Sequence, residues 1–280
     1  MNADEEMGRR FPVGRGPAGS GRRGEGAFTL IELLVATAVF MVLVLVLASI
    51  SNQAVSTWSR SENKSDLREA ARAAINVMGS ELRQAVLPVS RGEQNGPQFV
   101  INPASVSDAF KNRDAVFWQA PIATSRSRGD LAVVGYFVRR EGNLWKLCRL
   151  FVNPDDAEYA LRGTGPWVDD GLLNSKAPGT EASNLQGVFL ENVPGMWVKA
   201  YSDAVTPYAS YDSRLAQRLP SRVEVSLALL DKAGAERVAS GQVVLPEARN
   251  CADLATFLNQ LPEAIRGNVQ SVTVNVSFLF

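Results

Sequence analysis

Histidine is absent from the 280 residues. That absence removes Ser-His-Asp and Cys-His nucleophile systems, histidine-ligated zinc and the facial-triad iron site. Cysteine is scarce: Cys148 and Cys251 stand far apart and form no CxxC, so they offer at most one disulfide and no redox or thiolate metal motif. One disulfide and two separate small buried thiols both satisfy the sequence. Charge of one sign is not in excess either. Lys plus Arg equals Asp plus Glu at 29 each, which leaves no electrostatic case for nucleic acid as a partner. The acidic stretch 153–180, with Asp155, Asp156, Glu158, Asp169 and Asp170 among Gly and Pro, lacks the DxDxDG spacing of a calcium loop and reads as a solvated surface loop. No cofactor or metal is expected.

What the chain does have is an apolar run, AFTLIELLVATAVFMVLVLVLASI, from Ala27 to Ile50. It is long enough to cross a bilayer as a helix. Near its start sits one acid, Glu32. An ionised residue at the centre of a spanning helix costs roughly 2.5–3.5 kcal/mol on insertion scales, and less near an end, so the carboxylate calls for a partner. An acid snorkelling to the near interface is the plainer reading. Thr29 and Thr37 are the other polar groups before Ser49, and their hydroxyls are expected to bond back to the preceding turn. No GxxxG marks a dimer face.

Residues 1–26 are polar and Gly-rich, with Arg9, Arg10, Arg15, Arg22 and Arg23. Without apolar periodicity they are expected to be disordered. Those arginines outnumber Arg60, Lys64 and Arg68 on the far side, which keeps the N-terminus cytoplasmic and sends the C-terminal bulk outside. A secretory signal peptide would have a shorter apolar core with the cleavage site behind it. Here the small residues Gly26 and Ala27 stand in front.

The contiguous AFTLIELLVATAVF resembles the N-terminal processing and methylation motif of type IV prepilins and type II secretion pseudopilins. That resemblance implies a membrane peptidase that cuts before the apolar run, methylates the new N-terminus and leaves the acid at the fifth mature position. Cutting between Ala27 and Phe28 makes Phe28 the methylated first residue and Glu32 the fifth. Cutting between Gly26 and Ala27 keeps the glycine that the family usually places before the cut but moves the acid to sixth. The spacing of amine to carboxylate favours the former. The resemblance further implies that Glu32 pairs with the N-terminal amine of a neighbouring subunit, so that its charge is met when subunits stack in register.

Beyond Ser51 apolar residues recur at helical steps: Val55, Trp58, Leu67, Ala71, Ala74, Ile75, Met78, Leu82, Ala85 and Val86. Glu69, Arg72 and Glu81 are assigned to the polar side, Gly79 is a site of bending or loosening, and Pro88 ends the pattern. A helix continuous over 28–87 would run roughly 90 Å at 1.5 Å per residue. From Arg91 strand-like runs follow at 98–101, 115–119, 131–139, Leu144–Val152, 196–201, Arg222–Leu230 and 271–280. A hairpin joins the third and fourth through residues 140–143. The runs from Arg222 and Ser271 alternate cleanly, giving each one dry face. Residues 251–261 read as a short helix with Leu254, Phe257, Leu258 and Leu261 on one face.

The reading is an α+β protein: a leader at 1–27, a membrane helix at 28–50, its amphipathic extension at 51–87, and a β-rich head at 91–280 whose antiparallel sheet packs on the outer half of the helix. The hairpin, and the extended segment after Pro220, resemble the J-type minor pseudopilins. The chain also resembles pilin-like members of multi-protein cassettes of Verrucomicrobia. The function implied is a non-catalytic, single-pass inner-membrane subunit with a periplasmic head, assembled into a pilus-like or pseudopilus structure. A minor subunit is favoured, because a bulky head stacks repetitively less well. The implied partners are a prepilin peptidase, other pilin-like subunits, an inner-membrane assembly platform and membrane lipid. The competing reading is an extracytoplasmic binding protein or enzyme that uses the helix as a tether.

Overall fold

In the computed structural model one helix, α1 (Leu30–Leu82), carries the apolar run and its amphipathic continuation without a break. The residues described are 29–86, 98–125, 128–159, 166–176, 187–202, 207–208, 210–216 and 218–278, with the side chains of 55–57, 59–60 and 214 excepted. Contacts divide the chain into two units, Met1–Ser56 and Thr57–Phe280, and the division falls within α1. In the first unit Leu30–Ala54 is long and apolar enough to cross a membrane, with no buried side chain in its most apolar stretch. Helix α1 ends at Leu82, short of the expected position 87, and Arg83 to Ala85 close it with turn hydrogen bonds.

In the second unit two antiparallel sheets share a core with α1. The larger runs in the order β5-β4-β3-β2-β1-β7, built from β1 (Phe99–Ile101), β2 (Val116–Ala120), β3 (Ala132–Glu141), β4 (Leu144–Val152), β5 (Gly187–Leu190) and β7 (Tyr211–Asp212). The smaller runs β6-β8-β9, from β6 (Gly195–Tyr201), β8 (Arg222–Leu230) and β9 (Val269–Ser277). Ala71, Ile75, Met78 and Leu82 of α1 meet Trp118, Tyr136, Leu147, Met196, Val198, Val225 and Val276 in one cluster between them. The three- and four-residue spacing of those helix positions is what puts them on a single face.

Several expectations need correction. The β3–β4 hairpin is tighter than residues 140–143: Glu141 pairs with Leu144, leaving the two-residue turn Gly142-Asn143 with Gly142 at φ 60°. The stretch 153–180 is not simply a solvated loop. Within it Trp167, Val168, Leu172 and Leu173 are buried, and α2 (Asp170–Lys176) packs them behind the larger sheet with Phe117, Phe137 and Leu150. Strand β8 is buried on both faces beyond Glu224, because α4 (Lys232–Ala239), α5 (Leu254–Gln260) and α6 (Glu263–Arg266) cover Ala228 and Leu230 from outside. Strand β9 does keep the alternation, with Val272, Val274 and Val276 inward and Ser271, Thr273, Asn275 and Ser277 exposed. Helix α1 does not break at Gly79, where a Cβ would stand 3.1 Å from Val274 Cγ2. The glycine serves close approach of helix to strand.

Candidate functional site

Gly26, Ala27 and Phe28 lie outside the described residues, and the site begins at Thr29. Its hydroxyl accepts the Glu32 backbone N–H at 3.3 Å and its carbonyl accepts the same N–H at 3.0 Å, so Thr29 caps the first turn of α1, while the turn before it lies outside the described residues. Thr37 does bond back, donating to the Leu34 carbonyl at 2.9 Å. Glu32 falls in the first turn, where a negative charge is favoured by the helix dipole by about 0.3–1 kcal/mol. Its carboxylate meets no hydrogen-bond or ion-pair partner among the described residues. Around it Leu30, Ile31, Leu33 and Leu34 are all exposed. An acid framed by hydrocarbon and without a partner among the described residues is costly to bury in a membrane unless a cation meets it.

Glu81, farther along the same helix, behaves oppositely. It is not on the polar side of α1. Its carboxylate accepts from Arg149 Nη2 at 2.5 Å and Arg149 Nε at 3.2 Å, and from the Tyr136 hydroxyl at 2.6 Å. Its carbonyl accepts from Trp118 Nε1 at 3.2 Å. Burial, then the negative charge of Glu81, hold the Tyr136 hydroxyl far above the usual tyrosine range. The guanidinium of Arg149 also lies 4.8 Å from the centre of the Phe151 ring. This network bolts α1 to β2, β3 and β4. Local periodicity misses it, because Arg149 alternates on a strand distant in sequence.

Asp114 is a second buried acid that sequence reasoning did not single out. It accepts from Asn102 Nδ2 at 2.6 Å and from the Val198 backbone N–H at 2.8 Å. Burial pushes its carboxyl up, against the opposing pull of those hydrogen bonds. The preceding Arg113 has φ 84°, a strained value for a residue with a Cβ.

The acids of 153–180 are each engaged within the protein. Lys176 reaches Asp156 at 3.2 Å and Glu158 at 3.3 Å, so a lysine stands where a cation would have to sit. Asp155 accepts from the Ser125 hydroxyl, Asp169 caps Leu172, and Asp170 accepts the Ser107 N–H. No metal-ligating cluster occurs among the described residues. Cys148 and Cys251 are free thiols in separate buried clusters, so no disulfide joins them. Burial pushes the Cys148 thiol up to about 11, which keeps it protonated and unreactive. An open cleft of about 680 Å³ beside β1 and β7 is mainly apolar, with Trp167, Tyr208 and Tyr211 in its lining, and Asp212 is the one carboxylate among the described residues there.

A family model described as type II secretion system protein J matches residues 49–240, and one for the prokaryotic N-terminal methylation motif matches residues 22–48. No curated protein matches the chain. Among solved structures, a type IV-like pilin from Thermus thermophilus is similar over 76% of this chain and 95% of that one, at 11% identity and a TM-score of 0.37.

Proposed function

The chain belongs to the protein J family of type II secretion systems and is a minor pseudopilin subunit; from that premise we propose how it is processed, oriented and assembled. The peptidase cuts between Ala27 and Phe28, removing residues 1–27. The new N-terminal amine, on Phe28, is methylated. Glu32 is then the fifth residue, and its carboxylate pairs with the N-terminal amine of a neighbouring pilin-like subunit. The observation that carries this reading is the carboxylate of Glu32, without a partner among the described residues and set among exposed apolar side chains. The Thr29 cap agrees with a cut before the apolar run at either position, since both leave the residue on which the helix closes.

The leader lies on the cytoplasmic side, the apolar part of α1 spans the inner membrane in contact with lipid, and the head faces the periplasm. An inner-membrane platform receives the subunit, and nucleic acid has no part in it. The role is structural, without catalysis. Use of the helix as a mere tether is disfavoured, because a tether has no need of an acid at position 32.

Two measurements test this reading. The mature protein should have the mass of residues 28–280 plus one methyl group; an intact Met1 in working protein would sink it. Glu32→Ala should insert in the membrane as wild type does yet fail to co-purify with sibling subunits. Normal co-purification would remove the assembly role from Glu32.

A further inference from the structure

Four strands bound the two sheets, and three of those edges are either short or capped. Strand β5 is four residues long, opposite a register shift in β4. Strand β7 has only two residues before α3 (Ser213–Ala216) begins. The outer edge of β6 is capped along its length. Met196 exchanges main-chain hydrogen bonds with Asn112 and Asp114, the Val198 N–H goes to the Asp114 carboxylate, and the Ala200 carbonyl accepts from Tyr208. Strand β9 differs: it pairs with β8 over nine consecutive positions without a bulge, and no strand among the described residues pairs with its other side.

Hydrogen bonds at its two ends fix which groups face outward. Phe278 N–H donates to the Ser221 carbonyl at 3.0 Å, and Asp231 N–H donates to the Asn268 carbonyl at 2.9 Å. In an antiparallel ladder bonded and non-bonded pairs alternate, so even-numbered residues of β9 turn their main chain to β8. The main-chain groups of Val269, Ser271, Thr273, Asn275 and Ser277 therefore point away from the sheet. None of those groups has a partner among the described residues. The strand reads VQSVTVNVS, with no charge and no proline. Exposed edges usually carry such features as protection against strand addition.

The flank of α1 beside this edge is cationic. Gly79 touches β9, and Arg68 Nε donates to Gln270 Oε1 at 3.1 Å. At 100° per residue Arg72 and Arg83 follow on the same side, farther round toward the open edge. Both are exposed and have no ion pair among the described residues.

We propose that the free edge of β9 accepts an extended acidic segment of a partner protein. That segment joins the smaller sheet as a fourth strand, bonding to the main chain of Ser271, Thr273, Asn275 and Ser277, with alternate carboxylates turned toward Arg72 and Arg83. A second copy of this chain fits poorly. Strand β9 has no acid to offer, and pairing two such edges would set two rows of arginine side by side. The proposal does not depend on Glu32 or on how the leader is cut.

The test uses the full chain in detergent micelles and fluorescein-labelled nine-residue peptides of alternating Thr and Glu, alternating Thr and Lys, and the β9 sequence itself, read by fluorescence anisotropy. The Thr-Glu peptide should bind and slow hydrogen exchange across 269–277. Thr273→Pro removes an outward N–H and no main-chain bond to β8, losing besides it the hydroxyl contact of Thr273 with Ser226 at 2.9 Å, and should weaken binding about tenfold. Arg72→Glu with Arg83→Glu should weaken it about tenfold and turn preference to the Thr-Lys peptide. If Thr273→Pro does not fold, the arginine pair and the exchange footprint decide. Failure of the Thr-Glu peptide to bind wild type, equal binding of the Lys peptide, a footprint elsewhere, or preference for the β9 peptide would each overturn the proposal.

Discussion

On α1, Glu81 meets Arg149 and Tyr136 inside the head, while Glu32 meets no partner among the described residues. The same carboxylate is a bolt in one place and an open valence in the other, and the surroundings decide which. Removing Glu81 leaves the Arg149 guanidinium buried without its counter-charge, so Glu81→Ala should destabilise the head by about 3 kcal/mol, read as a shift in denaturant midpoint. A loss below about 0.5 kcal/mol would show the pair to be solvated. Asp114 gives a pH signature. Burial raises its carboxyl pKa, so the folded protein holds this proton at pH values where the unfolded chain has released it. Folding takes up a proton across that window. The stability of wild type relative to Asp114→Asn should therefore be greatest below the ordinary aspartate range and fall as pH rises through the elevated value. A flat difference between the two proteins from pH 3 to 7 would refute the shift.

At the level of elements, the contact between α1 and β9 depends on one missing side chain. A helix-interior glycine costs about 1 kcal/mol relative to alanine, so Gly79 must be offset by what it permits. Its hydrogen faces Val274 at a distance that a Cβ would already crowd. Gly79→Leu should overpack this seam and cost about 1–3 kcal/mol, whereas in Gly79→Ala the gain in helix propensity and the tight contact should nearly cancel. Thermal melts of the two variants check this; equal stability of Leu and wild type would mean the strand yields freely. The free edge of β9 belongs to this scale too, since its bare main chain follows from sheet order and from no single residue.

For the whole molecule the decisive boundary lies inside a helix. The compact unit that holds both sheets starts at Thr57, because Ala71, Ile75, Met78 and Leu82 fill the space between them. Burial of a large aliphatic side chain contributes roughly 1.5–3 kcal/mol, and a typical domain has a net stability of only about 5–15 kcal/mol. A fragment of residues 57–280 should thus fold cooperatively, and one of residues 91–280 should not. Circular dichroism with denaturant titration separates the two, and a cooperative transition in the shorter fragment would show that the sheets close without the helix.

The membrane helix, the processing motif and the acid at position 32 were legible in the sequence because each is written in adjacent residues with a local physical meaning. So were the stripe from Leu67 to Leu82 and the alternation of β9, where one periodicity reports one buried face. Strands β5 and β7 and helix α2 were not, since their short segments are stabilised by what covers them. The misplacing of Glu81 has the same origin: a charge on a helix looks solvent-facing until a cation from another strand is brought opposite. Only the tertiary arrangement could decide that Arg149 arrives at Glu81, that helices shield the second face of β8, and that β9 is the edge strand of its sheet. Those outcomes depend on which distant segments become neighbours, and a linear pattern carries no record of that.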